Sequence, residues 1–467
     1  MTEILGRGTA APSSPTYADH PNRSPWIDQL AVDGPPRPLS SDARADVVVV
    51  GAGIAGIATA FFVLRTSTGS VMLVERDRVA RGATGRNAGQ LATYFERPLS
   101  DIADEFGTEL AGDAQRGFED ANELLDMMVG EVSDQVPVER CIGHMGMFNR
   151  HHLEVHLRCM LIREQAGLRP QGCVVSEEAE FLAELPAEFN RLYSVVPQAR
   201  VRELLEVDDD RYRAVLSNRA GSTNSGLLCQ QVLAHLEWKY ADRFVYADRT
   251  NVERVVVGED SVSVYAGGHR VTAGHVVLCT NGFVDHVVED AAGLPIRLAA
   301  DQQITGRVAY MIAFVEDVPR APAAMSYIRN AVIGGDRAYV YVTRRSYHRA
   351  ADSVTLTCMG GPEYDFHAVY QRDAPFPGDL LETMDDEVRP FAQPTRPAGL
   401  PYDFHWHGLM GYNDSRIRVV GAHPRHERLL YNLGCNGVGF LPSIFGGHRI
   451  ARLLAGHHAA ASVFDPR

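Results

Sequence analysis

The 467-residue sequence predicts an α/β fold that opens on a Rossmann-type dinucleotide-binding unit and adds an antiparallel sheet. Three observations predict it. Residues 46–78 read as strand, glycine turn, helix and strand, in the order such a unit requires. Near the other end of the chain, "LYNLGCNGVGFLPSIFGGHRIARLLAG" repeats the pattern of strand, glycine loop and helix. Between them, residues 296–360 carry strand-like alternation, clearest in "RAYVYVTRR" and "SVTLTCMGG".

The first unit is justified residue by residue. Val47 to Val50 form a continuous β-branched run, as a strand buried on both faces of a parallel sheet requires. Gly51, Gly53 and Gly56 follow in G-x-G-x-x-G spacing and lead into the apolar "IATAFFVLR". Gly51 permits the tight turn, Gly53 lets the backbone approach a pyrophosphate, and Gly56 allows close helix–strand packing. The phosphates would meet the helix N-terminus at Ile54 and Ala55. The second strand, "SVMLVE", ends at Glu75, nineteen residues beyond Gly56, where a carboxylate can accept hydrogen bonds from ribose hydroxyls, with Arg76 beside it.

Next comes "RGATGRNAGQL", too polar for a core strand and too glycine-rich for a good helix. A cofactor as long as FAD extends beyond the first βαβ unit, and this loop can lie along its pyrophosphate and ribityl chain. Gly82, Gly85 and Gly89 would allow close approach; Thr84, Arg86 and Asn87 would donate hydrogen bonds, flanked by Ala83, Gln90 and Leu91. The C-terminal loop, with Gly434, Asn436, Gly437, Val438 and Gly439, would bring a helix dipole to the pyrimidine edge of the flavin. Negative charge develops there on reduction.

Composition narrows the partners. The formal net charge of −14 argues against nucleic acid or an anionic membrane surface as the main partner and favours a small molecule. No apolar run is long enough to span a membrane, and the N-terminus lacks a signal-peptide pattern. Its Pro, Ser, Ala and Gly content predicts a flexible arm over residues 1–44. Seven cysteines with no CxxC pair read as reduced thiols in a cytoplasm. Lys239 is the sole lysine, so a mechanism that requires one has a single candidate, and this one reads as a surface charge on a helix. In "DFHWHGLMGYND", His405 and His407 share a strand face without an acidic third ligand, so no metal is expected. Tyr339 and Tyr341 fall on one strand face and Val340 and Val342 on the other, a pattern that fits either substrate orientation or sheet packing.

In "DVVVVGAGIAGIATA", "RGATGRNAGQ", "RVTAGHVVLCTNGF" and "GCNGVGF", the chain resembles the D-amino-acid-oxidase-like flavoprotein family. Its branch holds glycine oxidase, sarcosine oxidase and γ-glutamylputrescine oxidoreductase. The resemblance covers about residues 25–460 and is strongest at the two ends. It implies an FAD-binding domain assembled from residues 45–98, 216–295 and 405–467, with an α+β substrate domain of residues 99–215 and 296–404 inserted. The first of these inserted segments reads as largely helical. The resemblance adds Val252, Thr280, Asn281, Gly282 and Gly408 to the cofactor set and places Trp406 and His407 at the flavin ring. The implied chemistry is hydride transfer from a carbon bearing an amine nitrogen to flavin N5, with O₂ or an electron carrier as acceptor.

Two departures bear on substrate. The lysine that sarcosine-oxidase-like members carry in the C-terminal loop is Leu441 here, and "QLATYF" lacks their arginine. A less acidic amine, or a larger substrate held elsewhere, fits better than sarcosine. Asn87 and Gln90 stand where some relatives carry a flavin-linking histidine, and no cysteine lies in "WHGLMGYNDSRIRVVG", so FAD is expected to bind noncovalently. An NAD(P)H-dependent flavin monooxygenase and a non-enzymatic FAD-binding redox protein are the alternatives. The oligomeric state is left open.

Overall fold

The buried run Val47 to Val50 forms the end of the strand Ala43–Val50, in the interior of a nine-stranded sheet. The structure, a computed structural model, describes residues 22–31, 34–132, 136–330, 339–349, 352–391, 402–457 and 460–467. Parallel to Ala43–Val50 lie His269–Leu278 on one side and Val71–Val74 on the other, with Phe244–Ala247 beyond the latter. The far edge of His269–Leu278 pairs with Val262–Ala266 along its first half and with the parallel strand His426–Leu433 at its end. Three segments distant in sequence thus finish side by side.

The helix Ile54–Thr66 leaves the first strand, and the helix Phe440–Leu454 packs directly on it. The approach is close enough that a Cβ added at Gly447 would lie 2.7 Å from the Ala58 backbone. The helix Thr108–Glu131 joins the same core through Ala111, Phe118, Leu125 and Met128, so this part of the expected substrate domain packs on the nucleotide-binding side. Gly107, at φ +88°, separates it from Leu99–Phe106.

The second sheet also has nine strands and is mostly antiparallel, starting Phe404–Tyr412, Thr305–Glu316, Asp352–Phe366, Tyr339–Arg349 and Ala323–Ile328. It continues through Val138–Met147, Ala214–Thr223, Gly172–Ser176 and Ser194–Val196. Three of these strands lie within residues 99–215, which read as largely helical. Val138–Met147 pairs on both edges but is mostly half-buried, so its side chains show no clean alternation. Phe404–Tyr412, which the sequence divides between the two domains, belongs to this second sheet. Among the described residues, no helix is long and apolar enough to cross a membrane.

Part of the expected flexible arm is packed. Residues 1–21 lie outside the described residues, but Pro25–Asp28 forms a short helix that buries Trp26 completely. The indole N–H donates to the Asn87 carbonyl at 2.6 Å, and Asn224 donates to the Trp26 carbonyl at 3.2 Å. A Cβ at Gly89 would lie 2.6 Å from the indole ring, so the 81–91 loop rests on this tryptophan. Burying a large aromatic surface gives the segment enough apolar contact to order it, despite its composition. Trp26→Ala should destabilise the chain by about 3–5 kcal/mol through the cavity it leaves, read as a lowered denaturation midpoint; an unchanged midpoint would show that this segment does not anchor the fold.

Candidate active site

At the ends of the parallel strands, Gly51 adopts φ +102°, donates its N–H to the Val74 carbonyl at 2.8 Å, and leaves no room for a side chain beside the Cys279 carbonyl. A Cβ at Gly56 would fall 1.7 Å from the Gly51 carbonyl oxygen, so the helix can sit on the turn only because that position is glycine. Gly53 caps the helix and faces Thr84, whose hydroxyl accepts the Ile54 N–H at 2.9 Å.

The Glu75 carboxylate accepts from the Ala52 N–H at 2.7 Å and the Asp77 N–H at 2.9 Å. Burial pushes it up to about 7, with these backbone contacts pulling the other way. Arg76 lies over the Phe283 ring at 4.5 Å. Val252, Thr250 and Arg249 close this end of a cavity of about 490 Å³.

From there the cavity runs past the 81–90 loop and Thr280 to Gly437, Val438 and Gly439 at the start of the C-terminal helix. Asn281, at φ +51°, accepts from the Gly411 N–H and the Cys435 N–H, tying the neighbouring loops together. Two buried donors at the lining, Arg86 Nε and Thr280 Oγ1, have no hydrogen-bond partner among the described residues. A long anionic dinucleotide fits such a lining: bare backbone at both glycine loops, a helix N-terminus, and donors with nothing to bond. Cys279, Cys435 and His286 line the cavity; burial pushes both thiols up, away from the reactive thiolate, and the imidazole down.

The second sheet supplies the opposite wall through Ala309, Met311, Tyr339, Tyr341, Glu363 and Met410. Tyr339 and Tyr341 face the cavity, while Val340 and Val342 join a hydrophobic cluster on the other side of the sheet. Tyr94 completes this end.

Of the residues expected at the cofactor, Gly51, Gly53, Ile54, Ala55, Glu75, Arg76, Gly82, Ala83, Thr84, Arg86, Asn87, Gly89, Gln90, Val252, Thr280, Asn281, Gly437, Val438 and Gly439 line the cavity. The Asn87 side chain is engaged within its own neighbourhood, bonding Thr84, Ser225 and Gly89, so it braces the loop rather than offering a free donor. Gly56, Gly282, Gly408, Gly434 and Asn436 stand behind the lining and allow or hold the loop approaches; Gly408, for example, would place a Cβ 3.0 Å from Arg86. Leu91 is a core residue.

Trp406 and His407 do not line the cavity. Trp406 is fully buried beside Trp26, Met311 and Phe404. His407 is on the opposite strand face, 2.9 Å from the Tyr370 hydroxyl and 3.0 Å from the Ala374 carbonyl, and burial pushes it down to about 4. It therefore positions Tyr370, which does line the cavity. Tyr94, Glu363, Tyr370 and Arg418 are lining residues that the sequence reading did not single out. The acid two residues after the Gly360–Gly361 pair was the nearest available signal.

A family model described as FAD dependent oxidoreductase matches residues 46–453. The chain is similar to the probable oxidoreductase OrdL of Rhizobium meliloti, with 29% identity over 150 residues, 30% of this chain and 32% of that protein. It is also similar to the γ-glutamylputrescine oxidoreductase of Escherichia coli, with 33% identity over 73 residues, 16% of this chain and 17% of that protein. The chain thus matches about a third or less of the length of these relatives. Among solved structures, it shares the fold of glycine oxidase from Geobacillus kaustophilus, at TM-score 0.63 and 15% identity, covering 91% of this chain and 98% of that one. It shares it also with L-proline dehydrogenase from P. horikoshii, at TM-score 0.66 and 15% identity, covering 91% and 97%.

Glu75 makes the stability of the FAD-free chain depend on pH. Its carboxyl keeps a proton to about pH 7 when folded, against 4.5 ordinarily. Its stabilising contribution is therefore fully present below the ordinary value and is lost as pH rises through the folded one. His156 and His407, pushed down to about 4 by burial, act in the opposite direction. The melting temperature of Glu75→Gln minus that of the wild type cancels these and should become more positive from about pH 5 to about pH 8. A difference independent of pH would count against a buried, protonated Glu75.

Proposed function

The chain belongs to the FAD-dependent oxidoreductase family, and from that premise we propose that it oxidises a C–N bond of an amine or amino acid to an imine, using noncovalently bound FAD. The observation that carries this reading is one continuous cavity. It joins the dinucleotide-type glycine loops to a wall of tyrosine, methionine and carboxylate side chains. The relatives' names, an oxidoreductase of γ-glutamylputrescine among them, support an amine-type substrate.

FAD, when bound, supplies the acceptor for the hydride leaving the carbon next to nitrogen. The chain's own residues do the rest. Gly51, Gly53 and the N-terminus of Ile54–Thr66 would hold the pyrophosphate, with Glu75 on the ribose and Val252 near the adenine. Arg86 and Thr280 offer their unpartnered donors, and the N-terminus of Phe440–Leu454 favours negative charge where it develops. On the sheet side, Ala309, Met311 and Met410 exclude water, while Tyr339 and Tyr341 orient the substrate. The seven free cysteines support a reducing, cytoplasmic setting.

Acid precipitation of the purified protein should release FAD, and anaerobic addition of one member of a panel of amines and amino acids should bleach the oxidised flavin band. Reoxidation on admitting air would identify O₂ as acceptor; its absence would point to an electron carrier. Reduction by NADPH without any amine would favour the monooxygenase alternative, and resistance to every reductant in the panel would favour the non-enzymatic redox protein.

A further inference from the structure

Oxidation at the carbon beside nitrogen needs a proton acceptor as well as a hydride acceptor. The hydride leaves as the nitrogen lone pair forms the new bond, yet an amine, with an ordinary value of about 10, carries a proton at neutral pH. Lys239, the sole lysine, pairs with Glu131 away from the cavity. His286 lines the nucleotide end, next to the Asp285 that pairs with Arg76. Glu363 lines the sheet wall but already accepts the Tyr412 hydroxyl at 2.7 Å.

Tyr339 supplies a path to a different acceptor. It lines the cavity, and its hydroxyl donates to Glu96, 3.1 Å from one carboxyl oxygen and 3.3 Å from the other. Glu96 does not line the cavity, so a ligand communicates with it through Tyr339. The carboxyl borders the C-terminal glycine loop: a Cβ at Gly437 would lie 3.2 Å from it, which puts the pair at the end of the cavity assigned to the flavin. Tyr339 is no base on its own. Burial, and next the Glu96 carboxyl, hold its hydroxyl well above the ordinary range, so it keeps its proton near neutral pH. Glu96 can accept one. The groups that face it are Tyr339, Glu363, Arg307 and Arg416, with Tyr94 and Tyr412 the other ionisable side chains nearby. Burial pushes Glu96 up and Glu363 adds to this, while the Tyr339 hydrogen bond and the two arginines pull back. The balance leaves it at about 7, close to the working pH, as a proton acceptor requires.

We propose that Tyr339 and Glu96 form a proton relay that neutralises the substrate ammonium before oxidation. The Tyr339 oxygen accepts a proton from the substrate nitrogen as its own proton passes to Glu96. One N–H and one O–H bond break, two O–H bonds form, and no electron pair leaves the substrate in this step: ammonium and carboxylate become amine and carboxylic acid. Tyr339 is the catalytic residue, and Glu96, acting through it, is the positioning residue that ends with the proton. The proposal rests on the amine-oxidation reading above and gives that reaction its base.

The test is the initial rate of anaerobic flavin bleaching in the FAD-loaded protein, at limiting substrate, from about pH 6 to about pH 9. Glycine, L-proline, butylamine and butane-1,4-diamine are the probes, and each that bleaches the flavin is carried into the variants. The wild-type rate should rise through about pH 7 and then level off. Glu96→Gln should be about 100-fold slower at neutral pH. Its deficit should shrink roughly tenfold per pH unit above that, as more of the probe arrives already neutral. Tyr339→Phe, which removes one oxygen and keeps the ring, should behave in the same way and decides the matter if Glu96→Gln does not fold. Combining the two should slow the reaction no further, because they act as one unit. A deficit independent of pH marks a structural role and overturns the relay, as does an unchanged rate in variants with a normal flavin spectrum. A pH-dependent deficit in Glu363→Gln with none in Glu96→Gln assigns the proton to Glu363 and also overturns it. Each of these results leaves the oxidation reading standing, whereas no bleaching by any of the four probes removes the oxidation and the relay together.

Discussion

Backbone meets backbone at the ends of the parallel strands, and the rest of the molecule is arranged around that contact. The turn at Gly51 lies against the Cys279 carbonyl on one side and beneath Gly56 on the other, at separations that no Cβ permits. A side chain at either glycine would lift the helix Ile54–Thr66 from its strand. Its N-terminus would then no longer point into the cavity, and the helix Phe440–Leu454, pressed against Ala58, would lose its seat. Three regions far apart in the chain share one binding cavity because their backbones converge here.

The opposite wall depends on a comparable economy of side chains. Gly360 clears the space in which Tyr341 lies across the sheet, and Gly408 lets Arg86 approach the strand Phe404–Tyr412. Asn281 and Asn87 spend their amides on neighbouring loops, and Trp26 supports the 81–91 loop from behind. The lining is thus held by side chains whose hydrogen bonds are made within the protein. Arg86 Nε and Thr280 Oγ1, at the lining, are left without partners among the described residues. Preorganisation of this kind keeps binding energy from being lost to ordering the site.

Much of the nucleotide-binding side was legible in the residues themselves. A glycine with positive φ or an impossible Cβ contact cannot be replaced freely, so Gly51, Gly53, Gly56 and Gly437 mark their own geometry. Strand parity likewise put Tyr339 and Tyr341 on one face. The errors came where a distant partner decides. Trp406 shares a strand face with Met410, but Trp26, from the opposite end of the chain, packs beside it and takes it into the core. His407 reads as a site residue, yet its face of the strand is turned toward Tyr310 and Tyr370. Residues 1–44 read as an arm because proline, serine, alanine and glycine dominate the N-terminus, whereas Pro25–Asp28 within them is a helix that buries the Trp26 indole.

The sequence by itself determined the α/β class, the Rossmann-type start, the dinucleotide-type loops at both ends and the paired tyrosines, because each rests on local conformation or on a short repeat. Only the tertiary structure decided which side chains meet across the cavity. It brought Glu363 and Tyr341 together on one wall and set Glu96 behind Tyr339. These residues come from strands and loops widely separated along the chain. The sign of charge that a substrate meets is a sum over neighbours in space, and strand order and register set those neighbours.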